Sequence, residues 1–242
     1  MLARAADVVW PPRSLLSDRV VERPGVIDGE AWAMLAFLGE PACFRCGFPL
    51  PDALVPEAVC GACAAAPPAY DRARAALAYD DISRKLVLDL KRGGRRDGLP
   101  AFAAWMRHAA AALLDEADLI VPAPMHWTRL AMRSFNQAAW LAQALSRASG
   151  APWTPAALER WKRRRSQEGL SADQRRRNVA GAIRATSRWT ARLQGKCVLV
   201  VDDVYTTGAT AEACARALRR AGAARVHVAT LARVVRPVDA LI

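Results

Sequence analysis

Short apolar runs alternate along the chain with amphipathic stretches of helical length. Residues 197–201 are apolar, mostly β-branched and without alternating polar positions. This pattern predicts a strand covered on both faces, as in a parallel α/β sheet. Residues 210–221 are then predicted to form a helix that ends at Gly222, and residues 225–234 return to an apolar strand.

The rest of the chain continues this alternation of strands and helices. The predicted strands cover residues 72–79, 118–122, 156–162, 196–201 and 225–234, and the predicted helices cover residues 83–91, 99–114, 134–148, 171–178 and 210–221. Strands that alternate with helices favour a parallel sheet with helices packed on both faces. The predicted fold class is therefore α/β.

The chain divides into three predicted parts. Residues 1–29 mix prolines with charged residues and show no sustained periodicity, which predicts a loosely ordered arm. Residues 30–68 hold a short apolar helical segment and four cysteines, and Pro67 and Pro68 mark the end of this module. Residues 69–242 form the main domain, since 242 residues suit one ordinary domain with a small module attached.

Hydropathy bears on the location of the protein. No apolar stretch of the sequence approaches the roughly eighteen residues that a membrane-spanning helix needs. The first twenty residues carry several charges and lack the apolar region of a secretory signal. These features predict a cytoplasmic protein without a membrane span, and they leave the oligomeric state unknown.

The formal net charge of +12 is concentrated in one stretch. Residues 160–177 hold eight lysines and arginines against two acids, with Trp153 and Trp161 nearby. Such a patch can follow a single-stranded nucleic acid while the tryptophans stack on bases, and it can equally hold a diphosphate and close over it. A solvated arginine-rich face is the third interpretation, and charge alone does not decide between them.

Four cysteines form two C-x-x-C pairs. Cys43 and Cys46 are separated by thirteen residues from Cys60 and Cys63. Two such pairs can direct four thiolates to the corners of a tetrahedron, which is the geometry of a structural zinc ion. Two disulfides and four idle buried thiols are the alternatives. Disulfides are disfavoured because no secretory segment is found.

Two adjacent acids, Asp202 and Asp203, follow the apolar strand 196–201 directly. Ligands of parallel α/β sheets bind at the carboxyl ends of strands, so we expect these acids at a binding site. Neighbouring carboxylates repel each other and lose hydration when buried, which requires a partner for them. The vicinal hydroxyls of a ribose are such a partner, because carboxylates accept strong hydrogen bonds from hydroxyl groups.

A turn rich in hydroxyl groups comes next. Residues 206–210 contain three threonines and Gly208, which tolerates a positive φ and close approach of a ligand. The helix that begins here can be capped by Thr207 or Thr210, and its N-terminus favours a bound phosphate. Strand, acids, turn and helix together predict a sugar-phosphate site.

The stretch 202–210 resembles the phosphoribosyl-diphosphate loop of type I phosphoribosyltransferases, and the chain is similar to the ComF branch, the competence protein F-like proteins. Further matching stretches are residues 118–126, Arg129, Arg133, residues 134–137, 166–170 and 175–182. The similarity spans about residues 35–235. Two departures are Ser134, where the family usually has glycine, and Arg164, where it usually has threonine.

The resemblance implies a set of ligands and site residues. Phosphoribosyl diphosphate would be bound with magnesium by Asp202, Asp203, Val204, Tyr205, Thr206, Thr207, Gly208, Ala209 and Thr210. Asp202 and Asp203 would also take part in catalysis, and Arg129, Arg133 and Arg165 would hold the departing diphosphate. The family also carries an N-terminal zinc ribbon, which agrees with Cys43, Cys46, Cys60 and Cys63 as zinc ligands.

The resemblance further implies a role in DNA uptake or in the use of imported DNA, in which single-stranded DNA or a DNA-uptake protein would be the partner. Three hypotheses remain open: a phosphoribosyltransferase of the glycosyltransferase class, a zinc-ribbon protein that binds single-stranded nucleic acid on a non-catalytic scaffold, and a sensor of phosphoribosyl diphosphate. The acceptor base is unknown, because no base-recognition pattern is found in residues 72–114 or in the final strand.

Overall fold

The computed structural model describes residues 11–51, 55–92, 96–125, 135–161 and 181–235. Several predictions concern residues outside these ranges. They are the arm residues 1–10, Arg129, Arg133, Arg165, the departures at Ser134 and Arg164, the predicted helix 171–178, and the basic stretch from residue 162 onward. Among the described residues, no helix has the length and apolar character needed to cross a membrane.

The described residues contain eight helices and six strands. The helices are α1 (Gly29–Ala33), α2 (Gly61–Ala65), α3 (Asp81–Lys91), α4 (Leu99–Ala109), α5 (Ala111–Leu114), α6 (Gln137–Ser149), α7 (Ser187–Leu193) and α8 (Ala209–Arg220). The strands are β1 (Arg72–Ala78), β2 (Leu119–Pro122), β3 (Leu158–Arg160), β4 (Ile183–Ala185), β5 (Cys197–Tyr205) and β6 (Arg225–Arg233).

The main sheet is parallel and has the strand order β1-β6-β5-β2. A parallel bridge between Ile120 and Trp153 adds a short extended segment beyond β2. Both central strands, β5 and β6, are nine residues long, so their carboxyl ends lie together at one edge of the sheet. The parallel α/β architecture predicted from the sequence is confirmed.

Burial on both faces explains the uninterrupted apolar run of β5. Val198 and Val200 belong to one hydrophobic cluster, whereas Leu199 and Val201 belong to another on the opposite face. All four side chains are 0% exposed. Since burial of each such side chain contributes about 1.5–3 kcal/mol, this strand is a major source of stability and a rigid support for the residues that follow it.

Two predicted elements differ from the structure. The predicted helix 99–114 is interrupted at Ala110, whose φ of −111° and ψ of 21° are not helical, so it forms α4 and α5. Residues 109–112 are all alanine, and an unbroken apolar pattern cannot reveal such an interruption. The predicted strand 156–162 is only three residues long, and β3 pairs antiparallel with β4 outside the main sheet.

The described part of residues 1–29 lies against the main domain. Leu15 is 2% exposed within the cluster that contains α3 and α4 residues. The ammonium group of Lys85 donates a hydrogen bond of 2.7 Å to the carbonyl of Leu16. This segment is therefore packed, which its mixed composition did not predict, while the domain boundaries at residues 29 and 68 stay predictions.

The cysteine module covers the outer edge of β1. The backbone of Leu38 donates to the Ala76 carbonyl at 2.9 Å, and Ala73 donates to the Arg45 carbonyl at 2.6 Å. These bonds satisfy groups that an open strand edge would leave exposed. Gly47 has a φ of +66°, and a Cβ atom there would lie 2.5 Å from the Ala73 carbonyl oxygen. The contact between module and sheet therefore requires glycine at this position.

We expect Gly47→Ala to destabilise the fold much more than Gly150→Ala. Gly150 also has a positive φ, of +79°, but a Cβ atom there would meet nothing within 4 Å. The control change should cost about 1 kcal/mol from backbone strain alone, whereas Gly47→Ala should cost about 3 kcal/mol because a collision with backbone is added. Urea unfolding of both variants measures the difference, and equal losses would contradict the proposed close packing.

Candidate functional site

The four predicted zinc ligands lie together in the structure. The sulfur atoms of Cys43, Cys46, Cys60 and Cys63 are all within 4.8 Å of one another, and all four residues are buried. No disulfide joins them. The cluster could therefore bind zinc, since four sulfur ligands at this separation suit a closed tetrahedral site.

Backbone amides stabilise a thiolate in this cluster. The Cys43 sulfur accepts N–H groups from Cys46 at 3.5 Å and from Cys60 at 3.2 Å. Hydrogen bonds from the thiols of Cys46 and Cys63 and from these amides hold the pKa of Cys43 well below its usual value. The hydrogen bond between the Cys46 and Cys43 side chains and the burial of the Cys46 thiol raise the pKa of Cys46 to about 11. A divalent cation would compensate the charge that full ionisation of the cluster creates.

A second group of possible ligands has a different character. Atoms of Glu116, Cys197 and His227 also lie within 4.8 Å of one another. Glu116 is already paired with the guanidinium groups of Arg72 and Arg225, which would repel a metal ion. Burial raises the pKa of Cys197 to about 11 and lowers the pKa of His227. This group is best described as an ion-pair cluster that joins the amino ends of β1, β5 and β6.

The first C-x-x-C pair is bonded directly to the main domain. Arg74 of β1 donates to the Phe44 carbonyl at 3.1 Å and to the Cys43 carbonyl at 3.4 Å. Arg233, at the end of β6, donates to the Cys46 carbonyl and is only 4% exposed. The position of the cysteine cluster is thus fixed relative to the carboxyl edge of the sheet.

Arg233 also contacts the end of β5. Its guanidinium carbon lies 4.9 Å from the centre of the Tyr205 ring and 5.2 Å from that of Phe48. The Tyr205 hydroxyl is 2.7 Å from the Tyr70 hydroxyl. Burial raises the pKa of Tyr205 to about 12, so this side chain remains neutral at physiological pH. One arginine therefore links the cysteine cluster to the strand that leads into the predicted phosphate turn.

The turn after β5 wraps over Tyr205. Gly208 has a φ of +74°, and a Cβ atom there would lie 2.3 Å from the Tyr205 hydroxyl oxygen. Gly208 is itself the N-cap of α8, and no described side chain caps this helix. Capping by Thr207 or Thr210, which the sequence suggested, is therefore wrong. Uncapped N–H groups in the first turn of a helix can donate hydrogen bonds to a bound anion.

The two acids differ in environment. Asp202 is half-buried, and its Oδ1 atom accepts the Asp203 backbone N–H at 2.9 Å. Asp203 is 6% exposed, and its Oδ2 atom accepts Gln137 Nε2–H at 2.8 Å and lies 3.3 Å from Lys91 Nζ. A buried carboxylate is thus compensated by one amide and one ammonium group.

Lys91 and Gln137 are residues at this site that sequence reasoning missed. Gln137 stands at the end of a stretch that resembles a family signature, but nothing in that stretch predicts its contact with Asp203. Asn136, which precedes Gln137, is the N-cap of α6. Its side-chain amide donates to the Ala123 carbonyl at 3.1 Å, which fixes the start of the helix beside β2. Lys91 is the last residue of α3 and carries no sequence signal. Arg129, Arg133 and Arg165 lie outside the described residues, so their roles stay predictions.

A family model described as a phosphoribosyl transferase domain matches residues 131–238. The match includes the acid pair, the turn, α8 and β6. Together with the parallel sheet it defines an α/β protein of the type I phosphoribosyltransferase fold.

Relatives then identify the branch. The DNA utilization protein YhgH of Escherichia coli (strain K12) is 34% identical over 196 residues, which cover 79% of this chain and 83% of that protein. Competence protein F of Haemophilus influenzae is 37% identical over 117 residues, which cover 48% of this chain and 50% of that protein. The chain belongs to the ComF family, and the resemblance inferred from the sequence is confirmed.

Solved structures share the fold only loosely. Orotate phosphoribosyltransferase from Aeropyrum pernix is 13% identical with a TM-score of 0.35, and the match covers 66% of this chain and 80% of that one. Glutamine phosphoribosylpyrophosphate amidotransferase from B. subtilis is 23% identical with a TM-score of 0.36, over 59% of this chain and 30% of that one. Similarity this low gives no information about the site.

We expect the purified protein to carry about one zinc ion per chain. The Cys60→Ser variant should lose most of this zinc, because a three-thiolate site binds zinc more weakly than a closed four-thiolate site. Cys214→Ala is the matched control, since Cys214 is a buried cysteine of α8 outside the cluster. Metal analysis by mass spectrometry provides the measurement. Unchanged zinc content in Cys60→Ser would show that the four sulfur atoms are not the binding site.

Proposed function

We propose that the protein binds phosphoribosyl diphosphate, together with magnesium, at the carboxyl edge of β5 and acts on it as a phosphoribosyltransferase. The observation that carries this proposal is the combination of an uncapped helix N-terminus at Gly208 with the acids Asp202 and Asp203 on the strand just before it. A turn that can accept a phosphate and acids that can accept hydrogen bonds from a diol provide for the two ends of a ribose 5-phosphate.

The turn supplies the phosphate contacts. The backbone N–H groups and threonine hydroxyls of residues 206–210 would surround the 5-phosphate, and the dipole of the twelve-residue helix α8 adds a favourable partial charge. The close packing of Tyr205 beneath Gly208 keeps this turn in one shape. A turn that is already shaped for an anion loses little entropy when the phosphate binds.

The acids supply the contacts to the sugar. Asp202 and Asp203 would accept hydrogen bonds from the ribose hydroxyls. Carboxylate oxygens at the edge of the sheet also suit magnesium, which is commonly bound by one or two carboxylates together with substrate phosphates. When bound, magnesium would neutralise charge on the diphosphate leaving group.

Loss of diphosphate from the anomeric carbon passes through an oxocarbenium-like state, so catalysis is mainly positioning and charge stabilisation. Asp202 and Asp203 are the described residues that we assign to this step, and Arg129, Arg133 and Arg165 remain proposed contacts of the departing group. The acceptor that takes the phosphoribosyl group stays unassigned. A sensor that binds the same ligand without turnover would use the same contacts.

The biological setting is proposed from the relatives. Their printed names refer to DNA utilization and to competence. We infer that this protein acts in the cytoplasm in DNA uptake or in the use of imported DNA, where a phosphoribosyl-transfer step would handle bases or nucleotides.

A second candidate function is binding of single-stranded nucleic acid. Trp161 is 48% exposed at the end of β3, and the Arg184 guanidinium lies 5.5 Å from its ring centre. An exposed aromatic ring next to a cation is a platform on which a base can stack. The basic stretch 160–177 begins beside this residue.

Binding of magnesium and phosphoribosyl diphosphate should stabilise the protein by about 2.7 kcal/mol at a ligand concentration one hundredfold above its dissociation constant. Asp202→Asn should weaken binding at least about tenfold, because a hydrogen bond to a charged group is lost. Asn at this position can still accept the Asp203 N–H, so the fold is preserved. Asp115→Asn, an exposed acid before β2, is the control that should bind normally.

Thermal unfolding with and without ligand measures these effects. The absence of any stabilisation of the wild-type protein would refute the proposed site. Release of diphosphate in the presence of a panel of bases then separates an enzyme from a sensor.

For the second candidate, Trp161→Ala should weaken binding of a labelled oligothymidine by about 1–3 kcal/mol. Trp32→Ala is the matched control, since Trp32 is 47% exposed at a different place, beside Phe37 and Trp105. Fluorescence anisotropy at several salt concentrations gives the affinity and its salt dependence. Equal affinity of the two variants would exclude Trp161 as a stacking platform.

A further inference from the structure

Lys91 lies at the proposed site but has no role in the reaction described above. Its Nζ atom lies 3.3 Å from Asp203 Oδ2 at the carboxyl edge of β5, and its side chain is 29% exposed. We propose that Lys91 binds the diphosphate arm of phosphoribosyl diphosphate and lets the site distinguish this ligand from ribose 5-phosphate. The inference rests on the proposed function, because it assigns a further contact to the same ligand.

The backbone of Lys91 is held in place by the rest of α3. Asp80 and Ser83 form a reciprocal capping box at the start of the helix, and Leu86, Val87 and Leu90 are buried. A helix fixed at its start and along its apolar face presents its last residue at a defined point. The lysine side chain then reaches Asp203 from that point, while its partial exposure leaves room for the ammonium group to take another partner.

The charges at the site change when a pentose diol binds. In the free protein, Asp203 is compensated by Lys91 and by Gln137. When ribose hydroxyls donate to the carboxylate, it gains strong partners that are independent of the ammonium group. In phosphoribosyl diphosphate, the diphosphate is attached to the carbon next to the one that bears the 2-hydroxyl. A lysine in contact with the carboxylate that holds this hydroxyl is therefore within reach of the diphosphate.

Gln137 provides an independent indication that a ligand belongs at this point. Its Nε2 atom donates to Asp203, whereas its Oε1 atom is buried and has no hydrogen-bond partner among the described residues. Gln137 is 7% exposed, so this oxygen is a buried acceptor that none of the described residues satisfies. An unsatisfied buried acceptor costs about 1–3 kcal/mol, which a hydroxyl donor from the sugar would recover.

Two roles for Lys91 can be separated by the choice of ligand. If the lysine only compensates Asp203, its removal affects every ligand that uses the carboxylate. If it also binds the diphosphate, its removal weakens the binding of phosphoribosyl diphosphate and inorganic diphosphate much more than that of ribose 5-phosphate, which lacks that group. The difference between ligands is thus a readout that a purely structural role would not produce.

The test is isothermal titration of the full chain with three probes: magnesium phosphoribosyl diphosphate, magnesium diphosphate and ribose 5-phosphate. Lys91→Met should weaken the first two at least about tenfold, as expected for loss of a charge-assisted contact, and change the third less than about twofold. Lys91→Arg keeps the charge and should retain most of the affinity. Lys85→Met is the control, since Lys85 lies on the same helix but donates to the Leu16 carbonyl.

The outcomes are distinguishable. If the wild-type protein binds none of the probes, the proposed function itself fails. If it binds them and Lys91→Met loses all three equally, or binds phosphoribosyl diphosphate as tightly as the wild type or more tightly, the role assigned to Lys91 is overturned. Should Lys91→Met fail to fold, Lys91→Gln and Lys91→Arg give the same comparison, with loss of diphosphate affinity expected for the uncharged residue alone.

Discussion

The carboxylate of Asp203 is the constraint on which the arrangement of the site depends. It is 6% exposed at the end of a strand whose first five residues are all buried. A charge in this position requires partners, and the two that it has come from α3 and α6. Removal of one partner of a buried ion pair costs about 3–5 kcal/mol, and the partial exposure of Lys91 reduces that figure here. Asp203 therefore brings three separate elements to one point.

The cysteine module is part of the same arrangement. Arg233 joins the Cys46 carbonyl to the ring of Tyr205, and Tyr205 lies directly beneath Gly208. Arg233 and Cys46 are buried, and Tyr205 and Gly208 are half-buried, so these packed contacts have little freedom to shift. A metal ion that organises the cysteines would thus also restrain the turn that we assign to the phosphate. In this protein the cysteine module is better understood as a support for the site than as an independent attachment.

The local features of the site could be predicted from the sequence, whereas its long-range contacts could not. The order of strand, acids, glycine turn and helix is contiguous, and each part has its own pattern. By contrast, Gln137 reaches Asp203 across 66 positions and Arg233 reaches Cys46 across 187. Nothing in the periodicity of α3 marks its last residue as a site residue. Two local features also could not be predicted: the interruption at Ala110 falls within a run of four alanines, and α8 starts after Gly208 without a threonine cap, in a turn packed on Tyr205.

The negative charges of Asp202 and Asp203 also limit which ligands can bind at this edge of the sheet. Two neighbouring carboxylates repel a phosphodiester backbone and a diphosphate alike, so a diphosphate would need magnesium here, whereas a diol needs the acceptors that the carboxylates offer. A nucleic acid therefore gains nothing from Asp202 and Asp203, and any strand bound by this protein would lie on other residues. Trp161 directly follows β3, which pairs with β4 in a separate two-stranded sheet. The two candidate functions thus differ in their use of Asp202 and Asp203 but share the basic stretch 160–177, in which Arg165 is the proposed diphosphate contact, so a sugar diphosphate and a nucleic acid would compete for that stretch.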